Sequence, residues 1–298
     1  MNSYRVKRNV KKLLFLLMVL LIIVTLMFPV AAMISVSLKK ANDVFTMPVT
    51  WIPKVFAFEN YVQVFRKMHI LNGFKASLVI TVTEPHCIDI EAAEQRIDAA
   101  VRFSMVIAIP AAYAFSCLNF YCKKQMYYLV LVSQMFAPVI VIIPLYTMMN
   151  KMGLIDSWLS LVLMNTTFNL AFIVLMLKAT FDGVPKEVVE AAKIDGCSPF
   201  MVMTRIFLPV SSTGIAVAVI FAFTRTWNEF LFAFTFISTT EKKPIIVSLY
   251  EILKNNPAVG IPWHYVMAGA MYTTVPLVIL FICIRNYITG DHTAGAIK

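Results

Sequence analysis

Residues 13–36 of this chain, LLFLLMVLLIIVTLMFPVAAMISV, carry no charge over 24 positions. A helix needs about 20 apolar residues to cross the hydrocarbon core of a bilayer, so this run is long enough to do so once. Val30-Ala31-Ala32 has a faint likeness to a signal-peptide cleavage site. However, the run exceeds the 7–15 residues typical of a signal-peptide core, and it reads as a retained membrane anchor.

Composition points the same way. Hydrophobic residues make up 60% of the chain and charged residues 14%, well below the roughly 25% charged residues of a soluble domain. The net charge of +10 is not gathered into a patch suited to nucleic acid. Arg5, Lys7, Arg8, Lys11 and Lys12 instead precede the first apolar run, which by the positive-inside rule places the N-terminus in the cytoplasm. The five cysteines (Cys87, Cys117, Cys122, Cys197, Cys283) have no metal-ligand spacing and read as reduced or buried small hydrophobes. His69, His86, His264 and His292 likewise lack metal spacing. No metal or catalytic constellation is expected.

Further uncharged intervals at Gln125–Asn150, Ser157–Leu177 and Tyr265–Ile284 qualify as spans, and Ser211–Ser238 does so while carrying Arg225 and Glu229. The second crossing is assigned to Ala99–Leu118, with Arg102 snorkelling at the interface. Immediately before it, Glu84–Asp98 (EPHCIDIEAAEQRID) holds five acids and Arg96. At ~2.5–3.5 kcal/mol per mid-membrane charge, burying these six would cost ~15 kcal/mol or more, so the segment is expected outside lipid as a polar excursion. Six spans then return the C-terminus to the cytoplasm. The expected architecture is an all-α membrane protein with one transmembrane domain over residues 1–298. It comprises an anchor helix at 13–36, core helices over about 76–289 and a cytoplasmic elbow at 185–209. Residues 39–75 leave room for an extended stretch and one short interfacial helix.

The elbow is the most patterned polar segment. Pro185 suits a first helical turn, and Glu187 and Glu190 favour the positive end of a helix dipole. Val188, Ala191, Ala192 and Ile194 can line one side, and Gly196 stops the helix by adopting positive φ. Ser198-Pro199 restarts the chain as an N-cap followed by proline at the first helical position, for a second helix to about Phe207. Glu190-Ala191-Ala192, three residues, Gly196, nine residues, then Ile206-x-Leu208-Pro209 resembles at every fixed position the EAA loop of ATP-binding-cassette importer permeases. Trp227-Asn228-Glu229-Phe230, Ala111-Ala112-Tyr113-Ala114, Pro144-Leu145-Tyr146 and the ending Thr293-Ala-Gly-Ala-Ile-Lys298 are similar to the maltose-type sugar permeases of that family. Glu91–Ala93 is a second EAA, without the Gly or the Leu-Pro. The chain departs from the family at Glu84–Asp98, which reads either as a tolerated outer-loop insertion or as a local alteration that would impair folding of the second span, and at Ala76, where the family usually has Asn.

The resemblance implies the type I importer permease fold and a coupling role. Glu190, Ala191, Ala192, Asp195 and Gly196 would dock in a separate ATPase subunit, with Ile206, Leu208 and Pro209 anchoring the elbow to the next span. It implies a second permease subunit, two ATP-binding-cassette ATPase subunits, an extracytoplasmic solute-binding protein and a carbohydrate substrate in a bacterial cytoplasmic (inner) membrane. The chain contains no Gly-x-x-x-x-Gly-Lys-Ser/Thr phosphate loop, so ATP and magnesium would sit on the partner ATPase and no cofactor is expected here. Arg225, Trp227, Asn228 and Glu229 are candidates for the pore or substrate path. Arg225 and Glu229, four apart, are expected on one helix face, where opposite charges can neutralise each other. An ion-gradient-driven secondary transporter using that pair is the alternative reading, and a membrane-tethered scaffold a third.

Overall fold

The computed structural model describes residues 2–46, 50–53, 55–67, 91–254 and 261–288. Among these the chain is mostly helical and no strand occurs. They are α1 (Asn2–Ser37), α2 (Glu59–Lys67), α3 (Glu91–Cys117), α4 (Lys123–Ser133), α5 (Pro138–Lys151), α6 (Trp158–Asp182), α7 (Lys186–Ile194), α8 (Pro199–Val210), α9 (Ser212–Trp227), α10 (Leu231–Phe236), α11 (Ile245–Lys254) and α12 (Trp263–Ile288). Five stretches are long and apolar enough to cross a membrane: Leu14–Ser37, Ala100–Cys117, Trp158–Asp182, Ser212–Phe236 and Trp263–Ile282. The pair α4 and α5 makes a sixth if counted as one span.

That pair corrects one expectation. Residues 125–150 are not one continuous helix, because α4 and α5 meet at an angle of 95°. Pro138 explains the break. It disfavours helical backbone at the preceding residue, and Ala137 is extended (φ −68°, ψ 130°), so Pro138 opens a new helix instead of continuing the old one. The expected excursion at 84–98 lies partly outside the described residues. Its last part, 91–98, forms the first turns of α3 and is helical, while the apolar span itself begins at Ala100.

Compact packing divides the chain into two units, residues 1–68 with 249–273, and residues 69–248 with 274–298. In the first unit, α2 fastens the end of α1. The Asn60 amide is buried and donates to the carbonyls of Ser37 (2.9 Å) and Lys39 (2.7 Å), two groups the helix end leaves open. Tyr61 packs edge-on against Tyr272 at 5.7 Å, and the Tyr265 hydroxyl donates to the Gln63 side chain.

In the second unit, α3 and α6 form the most extensive helix pair, with α9 packed on both. Their seam combines Ala108 and Ala112 of α3, Ile173, Leu177 and Phe181 of α6, and Ala218 and Ala222 of α9. Lipid is as apolar as these side chains, so close approach and internal hydrogen bonds stabilise such a seam more than transfer from water does. Gly214 marks the tightest point, where a Cβ would lie 2.2 Å from the Thr180 Cγ2. At the other end of α6, Trp158, Leu161 and Met164 pack with Met149 of α5 and with Phe232, Ala233 and Phe236 of α10.

Candidate functional site

The elbow forms where the sequence places it. Helix α7 runs Lys186–Ile194, Pro185 stands at its N-cap, and Gly196 follows it with φ +79°. Ser198 then caps α8, its hydroxyl accepting the Met201 N–H at 3.3 Å, with Pro199 next in line. Residues Met203–Phe207 are wound as one π-helical turn inside α8, a bulge that commonly marks functional sites. Beyond the bulge the helix continues through Leu208 and Pro209 to Val210, three residues past its expected end.

Two faces of the elbow have opposite characters. Inward, Ala192, Val202, Met203 and Phe207 are buried in the seam of α3, α6 and α9, with Val189, Cys197 and Ile206 packed behind them. Phe207 meets Tyr113 of α3 at 5.1 Å and Phe181 of α6 at 5.4 Å, edge-on in both cases. Outward, Glu187, Val188, Glu190, Ala191, Ile194, Asp195 and Phe200 are exposed, Ile194 to 86% and Phe200 to 71%. The expectation that Val188, Ala191, Ala192 and Ile194 share a side is therefore corrected. Ala192 turns inward with Val189, and the other three form part of the outer face. Ala192 and Val189, three apart, lie on the side packed against the seam, and the neighbouring Ala191 is turned away from Ala192 by about 100°.

The second group lies along α6, α9 and the joint to α10. Asn169 donates to the Thr226 hydroxyl at 3.0 Å, a buried hydrogen bond between α6 and α9. Helix α9 stops at Trp227, and the Glu229 carboxylate accepts the N–H groups of Phe232 (2.7 Å) and Ala233 (3.0 Å), so the acid caps α10. Arg225 instead lies with its guanidinium 5.1 Å from the centre of the Phe172 ring. The expected Arg225–Glu229 neutralisation does not form. The helix ends between the two residues, and the N–H groups opening α10 bind the carboxylate.

This geometry can be set against known proteins. The family model described as binding-protein-dependent transport system inner membrane component matches residues 104–289. The chain belongs to this family. The permease is 27% identical over 284 residues to the sulfoquinovosyl glycerol transport system permease protein SmoH of Agrobacterium fabrum, covering 93% of this chain and 91% of that one. It is also 27% identical over 278 residues to the trehalose transport system permease protein SugB of Mycobacterium tuberculosis, covering 91% and 92%. A solved bacterial ABC transporter that imports the acidic polysaccharide alginate superposes with a TM-score of 0.73 at 16% identity, over 94% of this chain and 96% of that chain. The expected fold, a type I importer permease, is thus the fold observed.

The four pore candidates of the permease do not form a single site. Trp227 and Glu229 line a cleft with Asn165, Thr226 and Trp158. Its free volume of about 30 Å³ is room for about one water. Trp227 stacks on Phe223 at 5.5 Å, and the exposed Asn228 amide donates back to the Thr224 carbonyl at 2.9 Å. Arg225 lines a separate, larger cavity of about 370 Å³. Phe207 and Val202, which join the elbow to the seam, carry no sequence signal beyond being apolar. Asn165 and Asn169 did carry one, since two amides a helical turn apart inside an apolar span have to share a polar face.

Asp156 was also not visible in the sequence. It sits before α6 with φ +59° and gathers Ser238 N–H (2.9 Å), Thr239 N–H (2.9 Å), the Thr239 hydroxyl (2.6 Å) and the Lys242 ammonium (2.9 Å). The hydrogen bonds from Thr239, with those from Lys242 and Ser238, hold its carboxyl well below the usual carboxylate range. The cluster ties the α5–α6 turn to the segment after α10, at the end of α6 opposite the elbow.

Proposed function

We propose that this permease is one transmembrane subunit of an ATP-driven importer for a sugar or related carbohydrate, and that residues 185–209 couple it to a separate ATPase. The observation that carries the reading is the two-faced elbow. Apolar Val188, Ile194 and Phe200 stand exposed beside Glu187 and Glu190 on the outer face, while the inner face is fixed in the helix seam. An exposed apolar patch rimmed by charge is suited to a protein partner, and a lever fixed at one end can transmit that partner's movement.

In this reading Glu190, Ala191, Asp195 and Gly196 dock the ATPase, Ala192 instead packs the docking helix onto the seam, and Ile206, Leu208 and Pro209 carry its displacement into α9. ATP and magnesium are bound by that partner. The assembly pairs this chain with a second permease subunit, two ATPase subunits and an extracytoplasmic solute-binding protein, with both termini of this chain cytoplasmic. The names of SmoH and SugB, which span nearly the whole chain, support carbohydrate as the cargo class. Closure of the ATPase pair would tilt the helix seam as a rigid body between outward-open and inward-open states.

The test is ATP hydrolysis and substrate uptake by the complex in proteoliposomes. Glu190→Lys reverses the charge at one position of the docking face, and Gly196→Pro removes the positive-φ stop together with its N–H bond to Lys193. Each is expected to lower uptake by about tenfold or more, the scale of a binding hot spot, with the helices still inserted. Unchanged uptake in both variants would remove the docking assignment.

A further inference from the structure

We propose that the cavity beside the α4–α5 break is a subsite for an anionic group, a carboxylate or similar oxyanion, on the carried carbohydrate, with Arg225 as its binding residue. The proposal rests on the importer reading above and specifies the chemistry of its substrate. The cavity of about 370 Å³ is lined by Ser133, Gln134, Phe136, Thr167, Phe168 and Arg225, with backbone from the break itself. That volume falls within the range of small-molecule sites.

Arg225 stands near the midpoint of the apolar stretch Ser212–Phe236, a depth at which a permanent cation is costly and is normally neutralised or functional. The obvious neutralising group is engaged elsewhere, because both Glu229 oxygens are held by the N–H groups of α10. Among the described residues the cavity lining contains no carboxylate. Among the described residues Arg225 joins no ion pair. The Arg225 Cζ lies over the Phe172 ring, 5.1 Å from its centre, and a guanidinium's N–H fork can grip an oxyanion in bidentate fashion. A charge placed at mid-span beside a cavity, and left without a counter-ion there, fits a ligand that brings the counter-ion with it.

The rest of the lining suits the sugar that carries that group. Phe136 and Phe168 offer apolar rings to the C–H faces of a pyranose, and the Gln134 amide provides both a donor and acceptors for hydroxyls. The Ser133 and Thr167 hydroxyls donate to their own helices (2.8 and 2.7 Å) and keep lone pairs for incoming O–H groups. Ala137 and Pro138 line the cavity at the opening of α5, so the positive end of that helix adds potential of the same sign.

The experiment uses the full complex purified in detergent and two radiolabelled probes of equal size, a digalacturonate and maltose, in equilibrium dialysis. The expected result is salt-sensitive binding of digalacturonate, weakened about tenfold or more by Arg225→Gln and less by Arg225→Lys, which keeps the charge but loses the bidentate fork, with maltose affected little by either. Equal binding of both probes, or digalacturonate binding unmoved by Arg225→Gln, would overturn the subsite. So would loss of the second permease chain from the Arg225→Gln complex, because it would show Arg225 pairing with a partner's acid. ATP-driven uptake and its sensitivity to Glu190→Lys are measured on the same preparation. If these persist, failure at Arg225 removes the subsite alone, whereas their absence removes the importer reading itself.

Discussion

Asp156 shows how much a single side chain can hold together, since its two carboxylate oxygens and its backbone connect three segments of the second unit. Its folded-state pKa lies below the ordinary aspartate value of about 3.9, and the direction of linkage follows from that. The unfolded chain takes up the proton first, so the stabilisation is complete above about pH 4 and declines as pH falls through the folded value. Asp156→Asn, which loses charge-assisted bonds worth about 1–3 kcal/mol in sum, is expected to lower the thermal midpoint of the purified complex at pH 7. The gap to the parent should narrow below pH 4, and a gap that stayed constant from pH 7 to pH 3 would show that the charge is not what the cluster uses. This residue was illegible in the sequence because its partners are some 82–86 positions away. Gly196 and Ser198-Pro199 were legible for the opposite reason. A positive-φ stop and an N-cap are local devices whose partners lie within three residues.

At the scale of elements, hydropathy located the membrane helices well because crossing lipid is a condition on composition over about 20 residues. Composition says nothing about direction, so hydropathy makes one span of the interval 125–150, although the two helices either side of Pro138 meet at 95°. The break could have been read from Pro138 and the restraint it places on Ala137. Helix spacing was hidden too, since nothing in the sequence of α9 says that Gly214 faces Thr180. Gly214→Ala would place its Cβ 2.2 Å from Thr180 Cγ2 and 2.9 Å from Thr180 Cβ, which rotation of the threonine cannot relieve. The helices must part, at a cost of about 1–3 kcal/mol typical of overpacking. A lower thermal midpoint for Gly214→Ala, restored in part by adding Thr180→Gly, is the expected outcome. An undisturbed midpoint would mean that α6 and α9 separate there without penalty.

At the scale of the whole molecule the question is how a push on the elbow becomes movement of helices about 37 Å long, the length of a 25-residue helix at 1.5 Å per residue. In the proposed coupling, docking and transmission would use different residues, and this makes them separable. Glu190, Ile194 and Phe200 face outward and can affect only what binds there, whereas Phe207 is fully buried between Tyr113 of α3 and Phe181 of α6. Phe207→Leu keeps most of the volume and removes both edge-on ring contacts, each worth about 0.5–1.5 kcal/mol. It should therefore leave the ATPase bound while loosening the connection to the helices. The expected phenotype is an ATPase that co-purifies in full and hydrolyses ATP in proteoliposomes, with more ATP consumed per substrate molecule imported than in the parent. Glu190→Lys should differ by losing the ATPase from the purified complex. A Phe207→Leu permease with the parent's ratio of hydrolysis to uptake would show that the force does not pass through the aromatic contacts, and would direct attention to the π-turn at Met203–Phe207 as the element that yields.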